Sequence, residues 1–225
     1  MEAVGHSEVL RLLAKRNIDI GNQRSRVVRL MHSQLAELAG GGIAKEINTS
    51  DVDGFLGTFH PATPVARVRY ELAVELLDDI RRLDSQLQVS HKRIRDAVRA
   101  SGTSLTDLFG VGPIIAAMLV GYTGDIARFA NRDRYAAYNG TAPVGFSSDG
   151  RVVHRSPSAG TANSTTRSTW LRSVSSARRI PRDARTSIAG VAEGKTKKEA
   201  LRALKRHASN AIYRQLVADA RRVRG

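Results

Sequence analysis

The chain has no cysteine among its 225 residues, which excludes disulfides and thiolate metal sites. Aromatic residues make up only 5%, too few for a base-stacking platform, so any nucleic-acid contact is expected to run through the phosphate backbone. Long apolar runs are absent too. None approaches the roughly 18 residues of a membrane span, and the opening MEAVGHSEVL lacks a secretory leader pattern. The six histidines are scattered without ligand spacing. Asp78, Asp79 and Asp84 read as a solvated helix face or ion pairs, and Asp125, after Gly124, reads as a helix N-cap. The expectation is a soluble, cytoplasmic chain with no membrane segment and no metal or other cofactor of its own.

What is present in excess is positive charge, at a formal +15. Its distribution matters more than its size. Residues 1–150 carry 18 Lys and Arg against 17 Asp and Glu, whereas residues 151–225 carry 18 against 4. A neutral body with a basic C-terminal third suits a polyanion partner. The competing reading is a solvated basic tail.

Periodicity gives an all-α expectation. Residues 6–16 and 22–39 read as helices, the second with Val28, Met31, Leu35 and Leu38 on one face and Gly40-Gly41-Gly42 as its stop. A long helix follows over about 65–100. Its apolar seam runs Leu76, Ile80, Leu83, Leu87 and Ile94, with Ser90 at the skipped position. Folding back on 22–39 would make an antiparallel coiled-coil stalk of residues 1–101; a dimerisation coiled coil is the alternative. Residues 102–225 form the second expected domain. It holds a short capped helix at 103–107, an apolar helix over 114–122, a helix near 131–139 and a basic amphipathic helix over 197–224.

Two loops in that second domain carry the chemistry. Gly110-Val111-Gly112-Pro113 reads as the turn of a helix-hairpin-helix. Its glycines would let Gly110, Gly112 and the N–H groups of Ile114 and Ile115 approach a phosphate. Ser147 and Ser148 precede Asp149-Gly150, with Arg151, His154 and Arg155 just beyond. A serine nucleophile towards phosphate needs a proton acceptor and cations to clamp the anion; His154 or an acid from elsewhere could serve as the first, the arginines as the second. A plain helix–helix turn and a plain Ser-Asp-Gly turn are the competing readings. Lys205 and Arg206, on the basic C-terminal helix, are further candidates for DNA contact.

In order along the chain, GVGPIIAAMLVGYTGDIARF, AAYNGTAP, SSDGRVVHR and EGKTKKEALRALKR resemble the C-terminal domain of insertion sequence 110-type transposases, relatives of the Piv DNA invertases. The segment LLAKRNIDIGNQRSRVVRLMHSQLAEL resembles the coiled coil preceding it. The resemblance covers about residues 8–155 and 191–222. It implies DNA recombination at insertion-element ends, with an element-encoded guide RNA and a homo-oligomer or full-length transposase as partners. It also implies that a serine acts together with a RuvC-like N-terminal domain whose acidic quartet binds Mg²⁺. The family's Ser-Ser-Gly motif falls on Ser147, Ser148 and Asp149, making Ser148 the first candidate nucleophile and Ser147 the second.

Two departures qualify this implication. The chain starts beyond the place where the acidic quartet would lie, so it is expected to lack the metal-dependent half of the active site. Losing such support costs several powers of ten in rate, on the order of several kcal/mol. Residues 156–190 also abandon apolar periodicity for Ser, Thr and Arg. Gly160 to Trp170 can be spelled by the family's codons read one base out of frame, so this stretch is expected to be out of frame or disordered; a true basic linker is the alternative, and the gene's nucleotide sequence decides. The resulting expectation is a transposase fragment, inactive alone, set against a non-catalytic DNA-binding or coiled-coil interaction protein.

Overall fold

The computed structural model describes residues 2–40, 48–142, 144–148, 151–155 and 197–224, with side chains described over 5–40, 48–142 and 205–223. The expectation for 156–190 therefore lies outside the described residues. Helices dominate: α1 (Glu2–Leu38), α2 (Thr49–Thr58), α3 (Pro64–Ala100), α4 (Pro113–Thr123), α5 (Arg132–Tyr138) and α6 (Lys197–Arg224). Short 3-10 turns stand at Leu105–Asp107 and Ile126–Arg128. One departure from the all-helical expectation is a two-stranded hairpin, β1 (Val144–Ser148) and β2 (Arg151–Arg155), where a loop was expected around the serines. Among the described residues no helix is long and apolar enough to cross a membrane.

The chain forms two compact units. The first to be described comprises Lys15–Arg93. Here α1 and α3 run past each other in opposite directions, as the pairs Asn17–Ser90, Arg24–Asp84 and Glu37–Arg69 require. Residues 6–38 form part of one unbroken helix, not two. At the expected break, Asn17 is buried and its Nδ2 donates to Ser90 Oγ at 3.1 Å. A paired Asn and Ser satisfy each other where either alone would be costly.

The buried face of α3 also differs in detail from the expected seam. In this unit it comprises Ala73, Leu77, Ile80, Leu83 and Ser90, while Leu76 and Leu87 are half-buried. The reason is α2, which inserts Val52 and Leu56 against Met31, Leu35, Ala73, Leu77 and Ile80 and so widens the covered face. α2 starts at an Asn48 cap, whose side chain accepts from the Asp51 N–H at 2.8 Å. All three acids read as surface or paired are paired: Asp78 with Arg81, Asp79 with Arg82 and Asp84 with Arg24.

The other unit takes in residues 1–14 and 94–225. Its core joins Leu10 and Ala14 of α1, Ile94 and Val98 of α3, Leu105 of the first 3-10 turn, Ala116, Ala117 and Leu119 of α4, Ile126, Tyr135, and Ile212 and Leu216 of α6. Burial of these side chains supplies the main driving force. Gly121 lets α4 approach α1: a Cβ there would lie 2.6 Å from the Arg11 nitrogen. Polar ties fix α6 onto this core. Asp219 accepts from Thr103 Oγ1 at 2.8 Å and from the Ser104 N–H at 3.0 Å. Asn139 Nδ2 donates to Ser209 Oγ at 2.8 Å, both buried. Asp125 is the N-cap of its 3-10 turn, accepting from the Ala127 N–H at 2.9 Å.

Candidate nucleic-acid interface

The Gly110–Pro113 turn leads from a 3-10 turn, rather than an α-helix, into α4. Leu105 anchors the turn in the core, and the Val111 N–H closes back on the Leu108 carbonyl at 3.0 Å. Gly110 has φ +80°, a left-handed conformation that only glycine adopts without strain. Gly112 is different. It is the N-cap of α4 with φ −79° and ψ 172°, extended values open to any residue, and a Cβ there would meet nothing within 4 Å. No local packing demands glycine at 112.

That glycine nonetheless leaves the start of α4 open. With no side chain, Gly112 cannot cap the helix; Pro113 at N1 has no N–H to offer, and the first helical bond runs from Ala116 back to Gly112 at 2.9 Å. The amides of Ile114 and Ile115 thus begin an eleven-residue helix without a side-chain cap. The partial positive charge of a helix start is concentrated on such groups. Gly110 and Gly112 are exposed and Ile114 is half-buried, so the approach is not blocked by the neighbouring turn.

Ser147 and Ser148 are the last two residues of β1. The antiparallel register pairs Ser148 with Arg151 and Ser147 with Val152, while His154 pairs with Gly145 and Arg155 with Val144. The backbone therefore brings together Ser148 and Arg151. His154 stands three residues further along β2 from Arg151, about 10 Å at the usual strand rise. The side chains of these hairpin residues lie outside the described set.

On α6, Arg206 is engaged in an ion pair with Asp133, and Lys205 is half-buried with a partner of its own. Arg206 is thus not a freely offered cation. Among the described residues no group of three or more His, Asp or Glu side chains is placed to hold a metal ion. Tyr135, the largest fully buried side chain, has its hydroxyl pushed up to about 12 by burial, which outweighs its hydrogen bonds to Thr123 and Asn139. It stays neutral and belongs to the core rather than to any proton transfer.

Sequence reasoning missed one feature of this unit. Arg128 lies over the rings of both Phe129 and Tyr138, at 4.6 and 4.7 Å from their centroids. The spacing of these residues carries no motif, and they meet only because the Ile126–Arg128 turn folds against α5.

Comparison with known proteins finds a match within this unit. Residues 102–189 match the family model described as Transposase IS116/IS110/IS902 family. The matched stretch includes the hairpin turn, α4, α5 and both strands, and it runs on through 156–189, where a departure from the family was expected. No curated protein matches the chain.

Proposed function

Taking residues 102–189 as a transposase domain of the IS116/IS110/IS902 family, we propose that this chain grips the sugar-phosphate backbone of DNA at insertion-element ends. The observation that carries the reading is the uncapped start of α4 at Gly112. A phosphate oxygen would take the place of the missing cap, accepting from the Ile114 and Ile115 amides in the field of the helix start. Since neither φ nor packing requires glycine at 112, room for a ligand is the remaining reason for it.

The same reading assigns Ser148 to strand exchange. Its Oγ would attack a DNA phosphorus, forming a P–Oγ ester as the bond to the departing sugar oxygen breaks. The serine proton passes to a base, and the departing oxygen takes up a proton in turn. Arg151, its register partner, would hold the anion. With His154 three residues along the strand, the base is an acid from outside this domain. The metal-dependent carboxylates implied by the family resemblance would supply it, so binding is this chain's own part and strand exchange is a shared one.

A single assay tests both parts. Gly112→Ser supplies the missing cap, because Gly112 already has the dihedral angles a serine cap adopts. Affinity for element-end DNA should fall roughly tenfold, the loss of about one charge-assisted contact, while thermal stability holds or rises. Ser148→Ala should bind as tightly as the parent chain and form no covalent protein–DNA adduct when full-length transposase and Mg²⁺ are added. Unchanged affinity in the first variant would refute the α4 contact.

A further inference from the structure

Aromatic residues are sparse in the sequence but not evenly spread in space. Of five Phe and five Tyr, four meet in one run of ring contacts. Tyr213 lies 5.7 Å from Tyr135, Tyr135 meets Phe129 edge-on at 5.3 Å, and Phe129 lies 5.1 Å from Tyr138. The run passes through the buried Tyr135 and ends at the half-buried Tyr213 and Tyr138. The Tyr138 end is fixed by its hydroxyl, which donates to the Tyr122 carbonyl at 2.6 Å.

Arg128 caps the Tyr138 end. Its guanidinium sits over the Phe129 and Tyr138 rings, and Nη2 lies 3.4 Å from the same Tyr122 carbonyl. The residue is nevertheless exposed. An arginine held on aromatic rings has lost its rotamer freedom in advance, so a ligand that stacks on it need not pay for that ordering. Arg134 is exposed and lies four residues before Tyr138, hence on the same face of α5. The two acids of the region are engaged within the fold: Asp125 caps its turn and Asp133 pairs with Arg206.

We propose that Arg134, Tyr138 and Arg128 form a docking strip for an unpaired nucleotide of single-stranded nucleic acid. The base stacks on the Arg128 guanidinium and the Tyr138 edge, and Arg134 holds a flanking phosphate. Duplex offers edges and phosphates but keeps its base faces stacked, whereas an unpaired base presents a face to a planar cation. The proposal rests on the nucleic-acid reading above and adds a second, strand-selective contact to it.

The experiment measures binding of the intact chain to labelled oligothymidylate, oligouridylate and a mixed-sequence duplex. Arg128→Ala should weaken single-strand binding roughly tenfold and duplex binding less than about twofold. Arg128→Lys keeps the charge but not the plane, and should show most of the same loss. Arg134→Ala should lower the single-strand salt slope by about one. The two single-stranded probes tell DNA from RNA, and a selective loss on either one supports the strip. Equal weakening on duplex, or full retention by the lysine variant, overturns it. Duplex binding with single-strand binding untouched by Arg128→Ala overturns the strip alone, whereas no binding to any probe overturns the nucleic-acid reading as well.

Discussion

Gly110, Gly112 and Gly121 look alike in the sequence, and the structure gives them three different jobs. Gly110 holds a left-handed turn at φ +80°. Gly112 has ordinary dihedral angles and empty space around it. Gly121 is pressed against backbone, with its missing Cβ 2.6 Å from the Arg11 nitrogen and 2.7 Å from its Cα. Backbone cannot swing aside as a side-chain tip can, so Gly121→Ala should destabilise the fold by roughly 1–3 kcal/mol, the usual cost of overpacking. Urea unfolding followed by circular dichroism measures this, and a variant as stable as the parent would mean that α4 and α1 do not approach so closely. No pattern of glycine spacing distinguishes these roles, because each depends on what lies opposite. The place of Asn17 is hidden for the same reason: its partner, Ser90, is 73 positions away.

At the level of elements, α3, α5 and α6 were legible, whereas the continuity of α1 and the strand hairpin were not. The seam and caps predicted a helix over 65–100 and another over 197–224, against observed spans of Pro64–Ala100 and Lys197–Arg224. Both have enough turns for a 3.6-residue repeat to declare itself. The hairpin of β1 and β2 has strands of five residues, too short for alternation to outweigh a Ser-Ser-Asp-Gly turn signal. The polar docking of α6 was equally hidden, since its partners lie far apart in the sequence, Asp219 among them. Asp219 accepts from Thr103 and Ser104, and Arg222 closes over it. Its side chain is 14% exposed. Asp219→Ala should leave the Ser104 N–H without its acceptor and cost about 1–3 kcal/mol. The loss should appear first as faster hydrogen exchange in the last two turns of α6. If exchange there is unchanged, the carboxylate does not hold the helix.

For the molecule as a whole, net charge is a poor guide to how much phosphate is held. Arg24, Arg81, Arg82, Arg206 and Arg222 are paired with carboxylates; these pairs cancel within the formal +15, so the total does not tell which cations face a ligand. Residues 151–190 account for +7 of the total. Salt dependence counts phosphates actually neutralised, at about 0.9 per contact on duplex DNA. We expect the slope of log affinity against log salt to be shallower than about −7, as a few local contacts would give. A slope near zero would remove the nucleic-acid reading, and one steeper than about −10 would mean that the basic C-terminal third, not the α4 turn, dominates binding. Charge asymmetry was visible from the sequence; which charges are available was not.

The placement of Ile212, Leu216 and Asp219 has a consequence for how the protein is made. The core of Lys15–Arg93 draws its buried residues from Met31 to Ile80, so a nascent chain can assemble it early. The core around α4 waits for α6, whose inward side chains leave the ribosome long after Leu105 and Tyr135 do. Throughout that interval the apolar surface that α6 covers, on α5 and the two 3-10 turns, stands open to chaperones and to aggregation, and a premature stop before Ile212 should leave it so permanently.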